Sequence, residues 1–144
     1  MRELKLCLIV TLLFCGLWAC NTKNSSEKLT PDTKQSELAA LMRIMETHGD
    51  EVRVALRNEQ ALPSRPEGID LLLSAKATPD MHIDQGTFPV FVQQYLQGID
   101  ALYAASSLNR EEAYNAVVQS CSNCHIVNCP GPLMKIDKMF INLQ

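Results

Sequence analysis

The chain has 144 residues, 47% hydrophobic and 20% charged, with a formal net charge of −3 and only 6% aromatic residues. This composition excludes collagen-like, wholly disordered and polytopic membrane classes and leaves room for one domain with a core of modest size. An acidic balance without clustered Lys and Arg argues against sequence-independent nucleic-acid binding. With so few aromatics, the core must be aliphatic or filled by something other than side chains.

Residues 1–19 read as an export signal. Arg2 and Lys5 make a basic start, and Leu6 to Trp18 is an apolar run too short to span a bilayer comfortably as a mature helix. The run ends in Leu17-Trp18-Ala19-Cys20, which resembles the lipobox of bacterial lipoproteins, so Cys20 is expected to be lipidated and to become the mature N-terminus. The competing reading is an ordinary secretory signal cut near Ala19, with Cys20 incidental. Two or three acyl chains on Cys20 would anchor stably where one is marginal. Residues 20–31 are polar and unpatterned and read as a flexible tether, which leaves 32–144 as the folded domain.

Thr30-Pro31-Asp32 is a helix start: a hydroxyl cap, proline in the first turn, then an acid. Leu38, Met42, Met45, Gly49, Val52 and Leu56 recur at spacings of four and three, which predicts a first helix from Asp32 to Glu59 with that seam inward. Pro63 and Pro66 break it. A shorter second helix is expected over 67–77, with Ile69, Leu72 and Leu73 inward, ended by Thr78-Pro79-Asp80. Met81 to Thr87 has no clear period and reads as a loop. Phe88, Val92, Tyr95, Ile99 and Leu102 predict a third helix to about Ser106. Asn109 and Glu112 form a capping-box pattern that opens a fourth, carrying Ala113, Val117, Cys121, Cys124 and His125 and stopping near Pro130-Gly131-Pro132. Leu133, Ile136, Phe140 and Ile141 give the tail a semi-apolar character suited to a short fifth element. Nothing alternates with period two for long. The expected fold is all-α, an antiparallel four-helix bundle.

The chemistry sits in Cys121-Ser122-Asn123-Cys124-His125. This is C-x-x-C-H, the attachment signature of c-type haem. On a helix the two cysteines lie at i and i+3, each able to form a thioether to a haem vinyl group, and His125 projects from the same face toward the iron. Three other readings compete. A thioredoxin-like pair would sit at a strand-to-helix junction, and no strand precedes it. Zinc could use Cys121, Cys124, His125 and Cys129. A Cys121–Cys124 disulfide within a helix is geometrically awkward. Export favours the haem, since covalent attachment in bacteria occurs outside the cytoplasmic membrane, and one haem c would supply the flat filler that the few aromatics do not.

A C-x-x-C-H near the end of an exported four-helix chain resembles the class II c-type cytochromes, the cytochrome c-prime group and its low-spin relatives, over about Asp32 to Cys129. Met45-Glu46-Thr47-His48-Gly49-Asp50 is similar to the first helix of the soluble four-helix b-type cytochrome, and so is Lys76-Ala77-Thr78-Pro79 before the third helix. The resemblance implies Met45 as the distal iron ligand opposite His125, with Met42, one turn earlier, as the alternative. The periodic seam agrees, because Met45 is on the inward stripe and Gly49 one turn later leaves room for the haem edge. The chain departs from the family after the haem histidine: Ile126, Val127, Asn128 and Cys129 stand where an aromatic and an Arg are common, which removes the usual basic neighbour of the propionates. His48 reads as a solvated helix residue, His82 as exposed, Cys129 as a buried small hydrophobe, and Glu51, Arg53 and Arg57 as a solvated face.

The functional expectation is a monohaem electron carrier with His125 and Met45 as axial ligands, lipid-anchored on the periplasmic face of a bacterial membrane. Its partners would be respiratory redox proteins and the membrane, with a homodimer allowed and no nucleic acid. The alternatives are a five-coordinate haem protein binding nitric oxide or carbon monoxide, and a structural zinc module. No triad, carboxylate pair or phosphate loop marks the chain as an enzyme.

Overall fold

A computed structural model describes residues 35–143. The signal segment, Cys20, the tether and the Thr30-Pro31-Asp32 helix start lie outside the described residues. The described chain is helical, with no strand: α1 (Glu37–Arg57), a 3-10 turn (Ile69–Leu71), α2 (Phe88–Ala104), α3 (Arg110–Asn128) and a short α4 (Leu133–Asp137). The all-α reading therefore holds. No helix among the described residues is long and apolar enough to cross a membrane.

Helix α1 starts later than expected, because Gln35 and Ser36 are not helical. Ser36 is the N-cap. Its extended backbone (φ −70°, ψ 158°) lets the hydroxyl accept from the Ala39 N–H at 3.2 Å. The same end is pinned to the chain that follows the 3-10 turn. Leu38 N–H donates to the Lys76 carbonyl at 3.0 Å, Lys76 N–H donates to Glu37 at 3.0 Å, and the Ser36 and Thr78 hydroxyls are 3.0 Å apart. Well before Pro63, α1 is closed by its own C-terminal turn. Gln60 N–H donates to the Ala55 carbonyl and Glu59 N–H to that of Leu56, a Schellman motif in which Glu59 takes the left-handed conformation (φ 53°) usually given to glycine.

The second expected helix is a correction. Only Ile69–Leu71 is helical, and as a 3-10 turn. Ile69 and Leu72, three apart, are both fully buried, matching a three-residue period, while Leu73, expected inward, is 59% exposed. Asn109 is a second correction. It precedes α3 as foreseen but makes no capping bond, because its backbone (φ −112°, ψ 2°) lacks the extended geometry that aims a cap at the first turn. At the start of α2 the device is Asp84, whose Oδ1 accepts from Gly86 and Thr87 N–H at 2.9 and 2.8 Å, with Pro89 in the first turn.

Helices α2 and α3, joined by five residues, form the principal helix pair. They approach closely where Gly98 meets Val117; a Cβ at Gly98 would lie 3.3 Å from the Val117 methyl. The tail packs back on α3. Asn115 holds Ile141 through both backbone groups, at 2.7 and 2.9 Å, and Tyr114 donates to the Met139 carbonyl at 3.1 Å. Ile136, Met139 and Ile141 join Val52, Ile69, Leu72, Ile99, Leu102 and Val118 in one apolar core.

Candidate functional site

The α1 seam is buried at Leu38 and Val52 as expected, while Leu41, His48 and Ala55 are buried where Met42, Gly49 and Leu56, one position later, were expected. Met42 and Met45 are only partly buried because they face a cavity. This space has a volume of about 330 Å³. Leu38, Met42 and Met45 of α1 line it, together with Phe88, Phe91, Val92 and Tyr95 of α2 and Cys121, Cys124 and His125 of α3. Leu72, Met81 and Ile83 complete it from the intervening chain, and Ile136 and Met139 from the α4 side. The structure thus brings all five sequence-assigned residues, Met42, Met45, Cys121, Cys124 and His125, to one apolar cavity.

His125 is oriented by its own helix end. Its Nδ1 donates to the Cys129 carbonyl at 2.8 Å, since a carbonyl can only accept. Nε2 is then the nitrogen that carries the free lone pair, the arrangement that fixes tautomer and ring direction in metal-ligating histidines. Cys121, Cys124 and Cys129 are free thiols. Burial pushes the Cys121 thiol up to about 11, with Cys124 beside it adding to the shift, and burial raises Cys124 as well. A thiol-redox pair needs a stabilised thiolate, so these two cysteines are placed for a neutral sulfur. Among the described residues no group of three or more His, Cys, Asp or Glu side chains is gathered closely enough to hold a metal ion, so the four zinc donors do not converge.

Four functional features were not foreseen. Asn128 clamps the motif: it donates to the Cys124 carbonyl at 3.3 Å and accepts from the Asp84 N–H at 2.9 Å, tying the 81–87 loop to α3. Met139, 8% exposed, adds a thioether to the wall, and a Cβ at Gly49 would lie 2.5 Å from its methyl. The room that Gly49 leaves is therefore taken by Met139. The only advance signal for Met139 was its place three residues after Ile136 in the apolar tail. At the mouth, Arg43, Glu46 and Lys135 join the lining, and Lys135 forms an ion pair with Glu46 across from α4 to α1. Arg43 and Lys135 are cations of the kind that Ile126 to Cys129, directly after His125, do not supply. His48, read as solvated, is 6% exposed, and its Nε2 lies 2.7 Å from the Tyr103 hydroxyl, which donates to the Pro63 carbonyl at 2.8 Å. His82 is exposed and Cys129 half-buried. Arg53 is not merely solvated, since it donates to the Lys138 carbonyl at 2.6 Å and to Asp50 at 2.7 Å.

No family model, curated protein or solved structure matches the chain.

Proposed function

We propose that the chain is a monohaem c-type cytochrome of the four-helix kind, with the Ile69–Leu71 turn in place of the second helix of such a bundle. The observation that carries this reading is the shared cavity: Cys121, Cys124, His125 and Met45 all line one apolar space. A haem bound there would supply an iron that cycles between ferric and ferrous states. Cys121 and Cys124 would hold it through thioether bonds. His125 offers Nε2 as the proximal ligand, held by the Cys129 carbonyl. Met45 offers a thioether as the distal ligand, with Met42 as the alternative. The apolar lining excludes water, and Arg43 and Lys135 at the mouth are suited to propionates. With an imidazole and a thioether both available to one iron, a bound haem would favour electron transfer over catalysis, so the protein is a carrier, exported and lipidated at Cys20, exchanging electrons with respiratory partners at a bacterial membrane.

The test is expression in a host that matures c-type cytochromes. Haem-dependent staining should survive denaturing electrophoresis and acid–acetone extraction, and Cys121→Ala/Cys124→Ala should lose it. The oxidised protein should show a weak sulfur-to-iron band at the red edge of the visible range. Met45→Ala should remove that band and Met42→Ala should retain it. A purified protein with zinc and no porphyrin would sink the proposal. One observation favours a five-coordinate, gas-binding variant as the second reading: a void of about 20 Å³ beside Met45.

A further inference from the structure

Three free thiols line the cavity, Cys121, Cys124 and Cys129, and an attached haem takes two. Helix spacing alone does not exclude the third. Cys129 is the C-cap residue of α3, one turn after His125, in the same four-residue stripe as Cys121 and His125. Something beyond spacing must separate Cys124 from Cys129.

Asn128, one turn after Cys124, makes that difference. Its partners fix the direction of the amide. The Asp84 N–H can only donate, so Oδ1 faces it at 2.9 Å and Nδ2 faces Cys124. Nδ2 donates to the Cys124 carbonyl at 3.3 Å and lies 3.8 Å from Cys124 Sγ, within reach of a hydrogen bond to sulfur. Cys129 is held through its backbone instead: its N–H donates to the His125 carbonyl at 3.1 Å, and its carbonyl accepts from His125 Nδ1 at 2.8 Å. The far end of the Asn128 contact is itself fixed. The Asp84 carbonyl accepts from Phe88 N–H at 2.9 Å, and its carboxylate accepts from Gly86 and Thr87 N–H. Phe88, Phe91 and Tyr95 of that helix line the cavity. One side-chain amide therefore sets the Cys124 sulfur against the α2 side of the cavity.

We propose that Asn128 is the positioning residue that selects Cys124 over Cys129 as the second attachment thiol. The proposal rests on the haem reading above and deepens it. Attachment is an addition: the S–H bond breaks, sulfur and hydrogen join the two carbons of a vinyl group, and no oxidant is consumed. A thiol held in one direction meets one such group, whereas a thiol that turns freely keeps no aim. Asn128 gives Cys124 that direction and leaves Cys129 without it.

The experiment uses the full-length chain matured with haem. Asn128→Asp keeps an oxygen for the Asp84 N–H and removes the donor to Cys124; Asn128→Ala removes both. In the wild type, peptide mass spectrometry should place the thioethers on Cys121 and Cys124 and leave Cys129 open to alkylation. In Asn128→Asp, the ratio of Cys124-linked chain to chain linked through Cys129, or through Cys121 alone, should fall about fivefold, the worth of one hydrogen bond. The alkaline pyridine spectrum should shift to the red as a vinyl group is left unreacted, while amide hydrogen exchange across 81–87 stays as slow as in the wild type. Asn128→Ala should show the same linkage fault together with faster exchange across 81–87. Gln119→Ala, which breaks the exposed Gln119–Asn123 contact of 2.9 Å on the same helix, should change neither. Wild-type linkage in Asn128→Asp overturns the proposal, whatever Asn128→Ala does, because the sulfur contact then selects nothing; the cytochrome reading stands. A wild-type protein without porphyrin overturns both, and its absorption spectrum tells the two failures apart.

Discussion

At His48 an imidazole has been taken out of water and set against a neutral side chain, Tyr103, with the two rings stacked at a centroid separation of 6.2 Å. Its pKa is lowered from 6.5, mainly by burial, with the Glu51 charge and a backbone hydrogen bond at Ser64 partly offsetting it. The unfolded chain therefore binds the proton more readily than the native one. Stability from His48 is complete above about pH 6.5 and is lost as pH falls through the folded value. The wild type should lose more Tm between about pH 7 and pH 5 than His48→Gln, which keeps a polar partner for Tyr103 but does not titrate. Parallel Tm profiles would show that protonation carries no penalty at this site. Glu59 is a second residue with a local cost. Held at φ 53° to complete the Schellman turn, it is a non-glycine residue in the left-handed region. Glu59→Gly should raise the urea midpoint by the equivalent of about 0.5–1 kcal/mol, part of the relief being returned as lost chain entropy. A lower midpoint would mean that the Glu59 side chain contributes more than its backbone strain costs.

At the scale of elements, α4 and the chain after it are held by bonds that α3 and α1 reach across to make. Asn115 satisfies both backbone groups of Ile141, and Arg53 reaches the Lys138 carbonyl from α1. Asn115→Ala would leave two half-buried backbone groups without these partners, at a cost of about 2 kcal/mol. The loss should be local: amide hydrogen exchange should accelerate from Lys138 to Leu143 while the α2–α3 pair keeps its protection. Uniform acceleration throughout would show that the tail opens only with the whole domain. The periodic segments were the legible ones. Phe88, Val92, Tyr95, Ile99 and Leu102 predicted α2 and are all buried on it. The second helix failed because Ile69, Leu72 and Leu73 fit a helical pattern but Ile69 and Leu72 fit a 3-10 turn as well, and only packing decides. The α1 seam slipped because the sequence does not reveal that one stripe of a helix meets core and its neighbour meets a cavity. Cys121, Cys124 and His125 were readable from local spacing. Asn128 and His48 were not, since each acts through a partner more than 40 residues away.

For the molecule as a whole, the cavity is the dominant energetic fact. A largely apolar space of about 330 Å³ that opens at a mouth is surface which an occupant can take out of water, worth on the order of several kcal/mol, a large share of a typical domain's stability. An occupant that binds only the folded state returns that sum. The protein carrying its group should melt at least about 10 °C above Cys121→Ala/Cys124→Ala prepared without it, because each kcal/mol moves Tm by several degrees at this size. Equal melting temperatures, with no dye bound by the empty variant, would mean that the helices close the space by themselves.

The α4 segment has one further consequence, which concerns time. Pro132, Lys135, Ile136 and Met139 complete a wall whose other parts all precede them along the chain. In the haem reading attachment follows export, so the clock that matters is folding and not synthesis. While the segment after Cys129 is undocked, α1, α2 and α3 can associate around a groove still open on one flank. In that state the two thiols and the imidazole are accessible to a bulky planar partner, and an enzyme handling one could approach. Once Lys135 meets Glu46 and Arg53 meets the Lys138 carbonyl, the flank is closed. Late docking of α4 thus gives a loading stage ahead of the sealing stage.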